Sequence, residues 1–258
     1  MFDASIYFPE APGGRSVTWA ATGRSGGVSA PPFDSLNLAF HVGDDPASVV
    51  ANRERVVEAV GAHGLASFEA VHGGECRYVD VPGIVPGVDS LWTDVPGLAL
   101  LAMGADCAVI ALIGDRTISA VHCGWQGLVA DVVGASVRQM QDVDVIRRIV
   151  IGPAICGDCY PIPQQRAESV MASHAGGPGV VVRTPDGQPG IDVRAGVRAR
   201  LRSLGIPDES IESVPGCTRE DANLFSVRRD SLTGRQGMVV VMSDRSEHGE
   251  ALDGEVRA

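Results

Sequence analysis

Three segments of the chain each offer one nitrogen or sulfur donor suited to a transition metal. They are "EAVHGGE" with His72, "GADCAVI" with Cys107 and "AVHCGWQG" with His122. Imidazole and thiolate favour zinc and copper. Three protein ligands with an open fourth position make a catalytic zinc site, whose bound water ionises near neutral pH. The three donors are far apart in sequence, so they form no local metal motif, and buried cysteine and histidine also serve as plain core residues. Cys107 and His122 fit a second chemistry equally well, a thiolate nucleophile with its base. Asp106, directly before Cys107, interrupts an apolar run. A carboxylate there is costly unless it is hydrogen-bonded, in a strand-end turn, or takes part in the reaction.

Other motifs offer less on their own. "ATGRSGGVS" (21–29) is a glycine-bearing loop around Arg24, and paired glycines allow the backbone to approach a ligand. "LFSVRRDSLTGRQG" (224–237) brings Arg228, Arg229 and Arg235 together in an acidic protein. Such forks suit phosphate or carboxylate, or a surface ion-pair network. "CGDC" (156–159) has C-x-x-C spacing but reads as loop, without a thioredoxin-like context and without two further zinc ligands in view.

Composition removes several classes of chemistry. The 21 basic residues are all arginine and there is no lysine. Schiff-base catalysis, a P-loop lysine and Ser–Lys arrangements are therefore excluded. A net charge of −11 argues against nucleic acid or an anionic membrane as partner. "MFDASIYFPEAPGG" lacks the basic and apolar regions of a secretory signal. The stretch at 98–113 is interrupted by Asp106 and too short to span a bilayer. The expectation is a cytoplasmic protein whose six cysteines are thiols.

The elements that must hold these residues are strands at 16–22, 68–72, 98–103, 106–113, 116–123, 148–152, 179–184, 211–214 and 237–242. Helices are expected at 46–62, 126–142, 164–174 and 193–204, with "GDR" (114–116) as a tight hairpin. No repeat or long linker is visible. One domain over residues 5–243 is expected, of mixed α/β or α+β class rather than a doubly wound array, followed by a polar, flexible tail at 244–258.

The chain resembles the YfiH-like proteins, long labelled multicopper polyphenol oxidoreductase or laccase-domain proteins and associated with purine nucleoside phosphorylase activity. The resemblance runs through "TGRSGGVSAPPFDSLNLAFHVGDDPASVVANRERV" (22–56), "AVHGGE" (70–75), "DSLWTDVPGLALLAMGADC" (89–107), "AVHCGWQG" (120–127), "IGPAICGDCY" (151–160) and "CTREDANLFSVRRDSLTGRQG" (217–237). It implies a single-domain α/β fold with helical layers flanking central mixed sheets. It also implies a metal triad of His72, Cys107 and His122 holding zinc, with copper as the other ion. Adenosine, inosine, guanosine and methylthioadenosine are the implied substrates, cleaved with phosphate, together with adenosine deamination. Arg24, Asn37, Asp106, Arg228 and Arg229 are the implied pocket residues, and Cys107, His122 and Asp106 the catalytic ones. The same resemblance carries two alternatives: Cys–His hydrolysis that edits peptidoglycan precursors, and copper-dependent phenol oxidation. The chain departs from the family pattern at Gln126, usually Arg, at Ala70, usually Gln, and at Ala108, often Pro. An anion-binding arginine beside the triad is thereby missing.

Overall fold

The structure, a computed structural model, describes residues 15–244 and the backbone of residues 3–7. The expected tail beyond residue 244 lies outside the described residues. The elements run β1 (Asp3–Tyr7), β2 (Ser16–Ala21), α1 (Pro46–Ala59), β3 (Gly64–Glu69), β4 (Cys76–Tyr78), β5 (Gly83–Pro86), β6 (Ser90–Thr93), β7 (Leu98–Gly104), β8 (Ala108–Gly114) and β9 (Ile118–Cys123). They continue with α2 (Trp125–Val129), α3 (Val132–Gln141), β10 (Ile146–Ile151), α4 (Gln164–Met171), β11 (Val181–Arg183), β12 (Pro189–Ile191), α5 (Val193–Ser203), β13 (Ile211–Ser213), α6 (Val227–Asp230) and β14 (Gln236–Ser243).

Two six-stranded mixed sheets, ordered β1-β2-β14-β7-β3-β5 and β13-β10-β8-β9-β6-β4, pack face to face. Trp19, Leu100 and Val240 of the first meet Val109, Ala111 and Ile118 of the second in one buried cluster. The outer face of the first sheet is covered by Leu36, Leu38 and Val56, the last on α1. The outer face of the second is covered by Leu128, Val133, Val137, Val197 and Leu201, on α2, α3 and α5. The result is a helix/sheet/sheet/helix stack, the expected class. Burial on both faces explains why β7, β8, β9 and β14 read as continuous apolar runs rather than alternating ones.

The strand expected at 68–72 ends at Glu69, leaving His72 in a turn. The helix expected at 126–142 is broken. Asp131 adopts a left-handed conformation (φ 61°), and its carboxylate takes Arg200 at 2.6 and 2.7 Å and Arg138 at 3.1 Å. This joins the start of α3 to α5. Strands β1, β4, β5, β6 and β12 were not expected. They are three to five residues long, and β1, β4 and β5 lie at sheet edges, where little apolar surface marks a strand.

Candidate metal centre

The centre lies at one end of the sandwich, where the turn after β3, the β7–β8 turn and the β9–α2 junction meet. The donor atoms of His72, Cys107 and His122 all lie within 4.8 Å of one another. Cys107 Sγ is 3.9 Å from His72 Nε2, and the two imidazoles stand edge-to-face with centroids 4.9 Å apart. A tetrahedral zinc ion with its usual bond lengths sets nitrogen and sulfur ligands roughly 3.5 Å apart, so the spacing fits one ion. His122 is buried, Cys107 half-buried and His72 exposed, which leaves one side of the cluster facing solvent.

Asp89 organises all of this. It is fully buried, and its carboxylate accepts from the amides of Val71 (3.2 Å), His72 (2.9 Å) and Gly73 (2.7 Å). Its Oδ1 also lies 2.9 Å from His122 Nδ1. A proton on Nδ1 turns Nε2 of His122 into a lone-pair donor toward the cluster, the usual carboxylate–histidine support of a metal ligand. The same carboxylate holds His72 in its left-handed conformation (φ 60°). Burial disfavours the charge of Asp89, but the His122 hydrogen bond and the backbone amides outweigh it, and its carboxyl stays below the usual range.

Electrostatics within the cluster favour charge separation. Burial opposes ionisation of Cys107, yet the His122 charge and hydrogen bonds from both histidines bring its thiol down. Burial likewise disfavours an imidazolium at His122, but the Cys107 thiolate and Asp89 push it up. Both directions favour a thiolate at Cys107, the state in which sulfur ligates or attacks. Gly124 leaves it room. A Cβ there would lie 2.8 Å from Cys107 Sγ and 3.3 Å from His72 Cδ2.

Of the other expected site residues, Asp106 adjoins Cys107 in the β7–β8 turn, and the rest are held by hydrogen bonds and ion pairs of their own. Asp106 (φ 104°) accepts from Thr218 Oγ1 at 2.7 Å, Ser226 Oγ at 2.6 Å and the Arg228 amide at 2.8 Å. It thereby ties the 217–229 segment to the β7–β8 turn. Arg229 donates to the carbonyls of Thr218, Asp221 and Leu224. Asn37 donates to Ala39 O and Asp44, and accepts from the amides of Ala39 and Arg235. Arg24 pairs with Asp34 and Asp230, lies over Phe225, and lines a separate pocket with Pro153, Asp221 and Leu224. Arg228 is exposed, with its guanidinium over the Tyr160 ring at 4.6 Å.

Several residues near the centre were not among the site residues expected from the sequence, although Arg235 was grouped there with Arg228 and Arg229. Asp89 opens the quoted "DSLW" segment, where nothing in the sequence shows that the acid is buried. Arg235 is half-buried and feels the charges of Cys107 and Asp106. His41 is held below its ordinary pKa by burial and by Arg235, and lies within electrostatic reach of His122. Arg166 stacks on Trp125 at 4.4 Å, and together with Arg228 and Cys107 it acts on Tyr160. Arg166 stands on α4, far from the motif in sequence, and no local pattern points to it.

Comparison with known proteins places this arrangement. The family model described as multi-copper polyphenol oxidoreductase laccase matches residues 18–243. The chain belongs to that family. Two bacterial relatives of the laccase-type chain are named purine nucleoside phosphorylase. The one from Mycobacterium tuberculosis is 42% identical over 86% of this chain and 90% of its own length. The one from Streptomyces coelicolor is 42% identical over 83% and 90%. Among solved structures, YlmD from Geobacillus stearothermophilus superposes with a TM-score of 0.81 at 29% identity, covering 93% of this chain and all of the other. YfiH from Bacillus licheniformis gives 0.80 at 25% identity, covering 92% and 99%. No helix among the described residues is long and apolar enough to cross a membrane.

Proposed function

We propose that this protein is a zinc-dependent purine nucleoside phosphorylase acting in the cytoplasm on adenosine, inosine, guanosine or methylthioadenosine. The observation that carries the reading is the convergence of His72, Cys107 and His122 on one solvent-open point, with Asp89 behind and arginines beside it. Relatives bearing the phosphorylase name at 42% identity support it. His72, Cys107 and His122 would hold the zinc ion. When bound, it would supply Lewis-acid polarisation and, with water, a hydroxide at neutral pH.

Phosphorolysis breaks the bond between the purine nitrogen and the anomeric carbon and joins a phosphate oxygen to that carbon. The purine leaves with a proton. The phosphate needs cations, and the exposed Gln126 stands where the resemblance to the YfiH-like family implies arginine. Arg166, stacked on the adjacent Trp125, and Arg228, stacked on Tyr160, supply guanidinium forks on either side of that gap. Arg235 adds a half-buried positive charge within electrostatic reach of Cys107 and Asp106. Asp106, Arg229 and Asn37 act as positioning residues, since their polar atoms are taken up by the loops they tie. Arg24 acts in the same way, through its pairs with Asp34 and Asp230.

The test is hypoxanthine release from inosine by purified protein. Release is expected only with phosphate present, and Cys107→Ala should abolish it. Phosphate-independent release, or none with any of the four nucleosides, refutes the reading. Adenosine deamination is the second activity proposed for the same centre, read as inosine formed from adenosine without phosphate. One observation favours a different chemistry: the lowered Cys107 thiol beside a raised His122 imidazole is also the electronic state of a cysteine hydrolase. A thiol-reactive probe separates the two. Labelling of Cys107 only after chelation supports metal binding, and equal labelling with and without chelator supports hydrolysis.

A further inference from the structure

The "CGDC" pair offered no partners in sequence, and the fold supplies them. Ligand atoms of Cys156, Cys159, Cys217 and Glu220 lie within 4.8 Å of one another, at a point separate from the His72 cluster. From this geometry we infer a second metal site, a closed zinc centre of three cysteines and one glutamate that joins two active-site loops.

The two halves have the same build. Each is a ligand-x-x-ligand turn, Cys156 to Cys159 and Cys217 to Glu220. In each, the fourth residue's amide donates back to the first residue's carbonyl, at 3.1 Å in both cases. The halves are held against each other without a metal. Cys156 N donates to Cys217 Sγ at 3.3 Å, and Cys159 Sγ to Glu220 Oε1 at 3.3 Å. Arg219 donates to Cys159 O at 3.2 Å, and a parallel bridge joins Ala154 and Cys217. Ligand-x-x-ligand pairs brought together from two distant segments are the construction of structural zinc sites, which are four-coordinate and closed. Three sulfurs select soft or borderline ions, and a fourth oxygen donor leaves zinc as the fitting choice. Binding releases three thiol protons, because thiolates are the ligands. A disulfide would use two of the sulfurs and leave the third thiol and Glu220 without a role. Cys217 is buried, the other two cysteines half-buried and Glu220 exposed, so an ion can enter from the solvent side.

The location gives the site its purpose. One knuckle ends at Tyr160, against which Arg228 stacks. The other continues through Thr218, which donates to Asp106, into the segment caged by Arg229. An ion here fixes the spacing of the two loops that carry the proposed phosphate-binding wall, without touching substrate.

The experiment measures metal content of the full-length protein carrying Cys107→Ala, which removes the first site. About one tightly held zinc per chain is expected to remain, and adding Cys159→Ser should remove it. Cobalt(II) loaded into the Cys107→Ala protein should give an intense thiolate-to-metal charge-transfer band. Glu220→Gln, which leaves all three sulfurs, should keep that band while holding the metal at least ~10-fold more weakly in chelator competition, no less than a supporting-residue change costs. The inference is overturned if reduced Cys107→Ala protein takes up no zinc. It is equally overturned if the cobalt spectrum lacks thiolate bands, or if mass spectrometry shows a disulfide among the three cysteines that persists in the zinc-loaded protein. None of these readings depends on phosphorolysis.

Discussion

Replacing Asp89 by asparagine keeps the shape of the side chain and removes one acceptor oxygen. Four donors now converge on the carboxylate. His72 N and His122 Nδ1 approach Oδ1, and Val71 N and Gly73 N approach Oδ2. Asparagine can satisfy only one pair. If its oxygen faces Val71 and Gly73, its NH2 group points at His122 Nδ1 and forces the proton to Nε2, so that nitrogen can no longer ligate. If it faces His122, the two amides lose their acceptor and meet a donor. Hydrogen bonds to a buried charge contribute about 1.5–3 kcal/mol each, so the second arrangement costs several kcal/mol of stability. The first arrangement costs metal affinity, for which changes behind a ligand typically give ~10–100-fold, or ~1.4–2.7 kcal/mol. The expected outcome for Asp89→Asn is therefore zinc held at least about tenfold more weakly in chelator competition, with phosphorolysis falling in proportion. Restoring full rate at high zinc would assign the loss to affinity. A variant that matches wild type in both zinc affinity and urea midpoint refutes the role given to Asp89.

Three further outcomes follow from the same geometry. Gly124→Ala places a methyl 2.8 Å from Cys107 Sγ in a backbone conformation alanine adopts freely. Far-UV circular dichroism should stay unchanged while zinc affinity drops by ~10-fold or more; unaltered affinity would show that the sulfur has room to spare. Asp131→Asn leaves Arg200 without its carboxylate in a pair whose side chains are only 11% and 14% exposed, and should cost about 2–4 kcal/mol in urea unfolding at pH 7. Burial works against the Asp131 charge, but Arg200 and Arg138 outweigh it and lower its pKa. The ion's contribution is thus complete above the ordinary carboxylate range and is lost as pH falls through the lowered value. The gap between wild type and variant should therefore narrow below about pH 4, and a gap that widens there contradicts the pairing. Asp106→Asn weakens the tie to Thr218, Ser226 and the Arg228 amide. It should make residues 217–229 more open to proteolysis, read by limited digestion and mass spectrometry, whereas an unchanged cleavage pattern would count against the tie.

The core of the fold was legible in sequence because β7, β8, β9 and β14 are long and apolar along their whole length. The edge strands β4 and β5 were not, since most of their residues are exposed and composition carries little imprint. The break at Asp131 is a tertiary effect: its carboxylate serves arginines 138 and 200 rather than a helix start, which no local pattern encodes. The triad residues could be singled out by type and by their nearness to strand ends, but their meeting depends on two sheets closing over each other. Asp89, Arg166 and the partners of the C-x-x-C pair were hidden for the same reason. Each acts across a gap in sequence that only the packed chain closes.

The pairing of β8 with β9 sets Val109 opposite His122 and Ala108 opposite Cys123. Adjacent residues of a strand face opposite ways, so Cys123 is turned into the helical layer, where burial keeps its thiol protonated. Two good donors thus stand side by side, and odd–even parity alone decides which one reaches the cluster. Inserting or deleting a single residue in the short hairpin would exchange imidazole for sulfur.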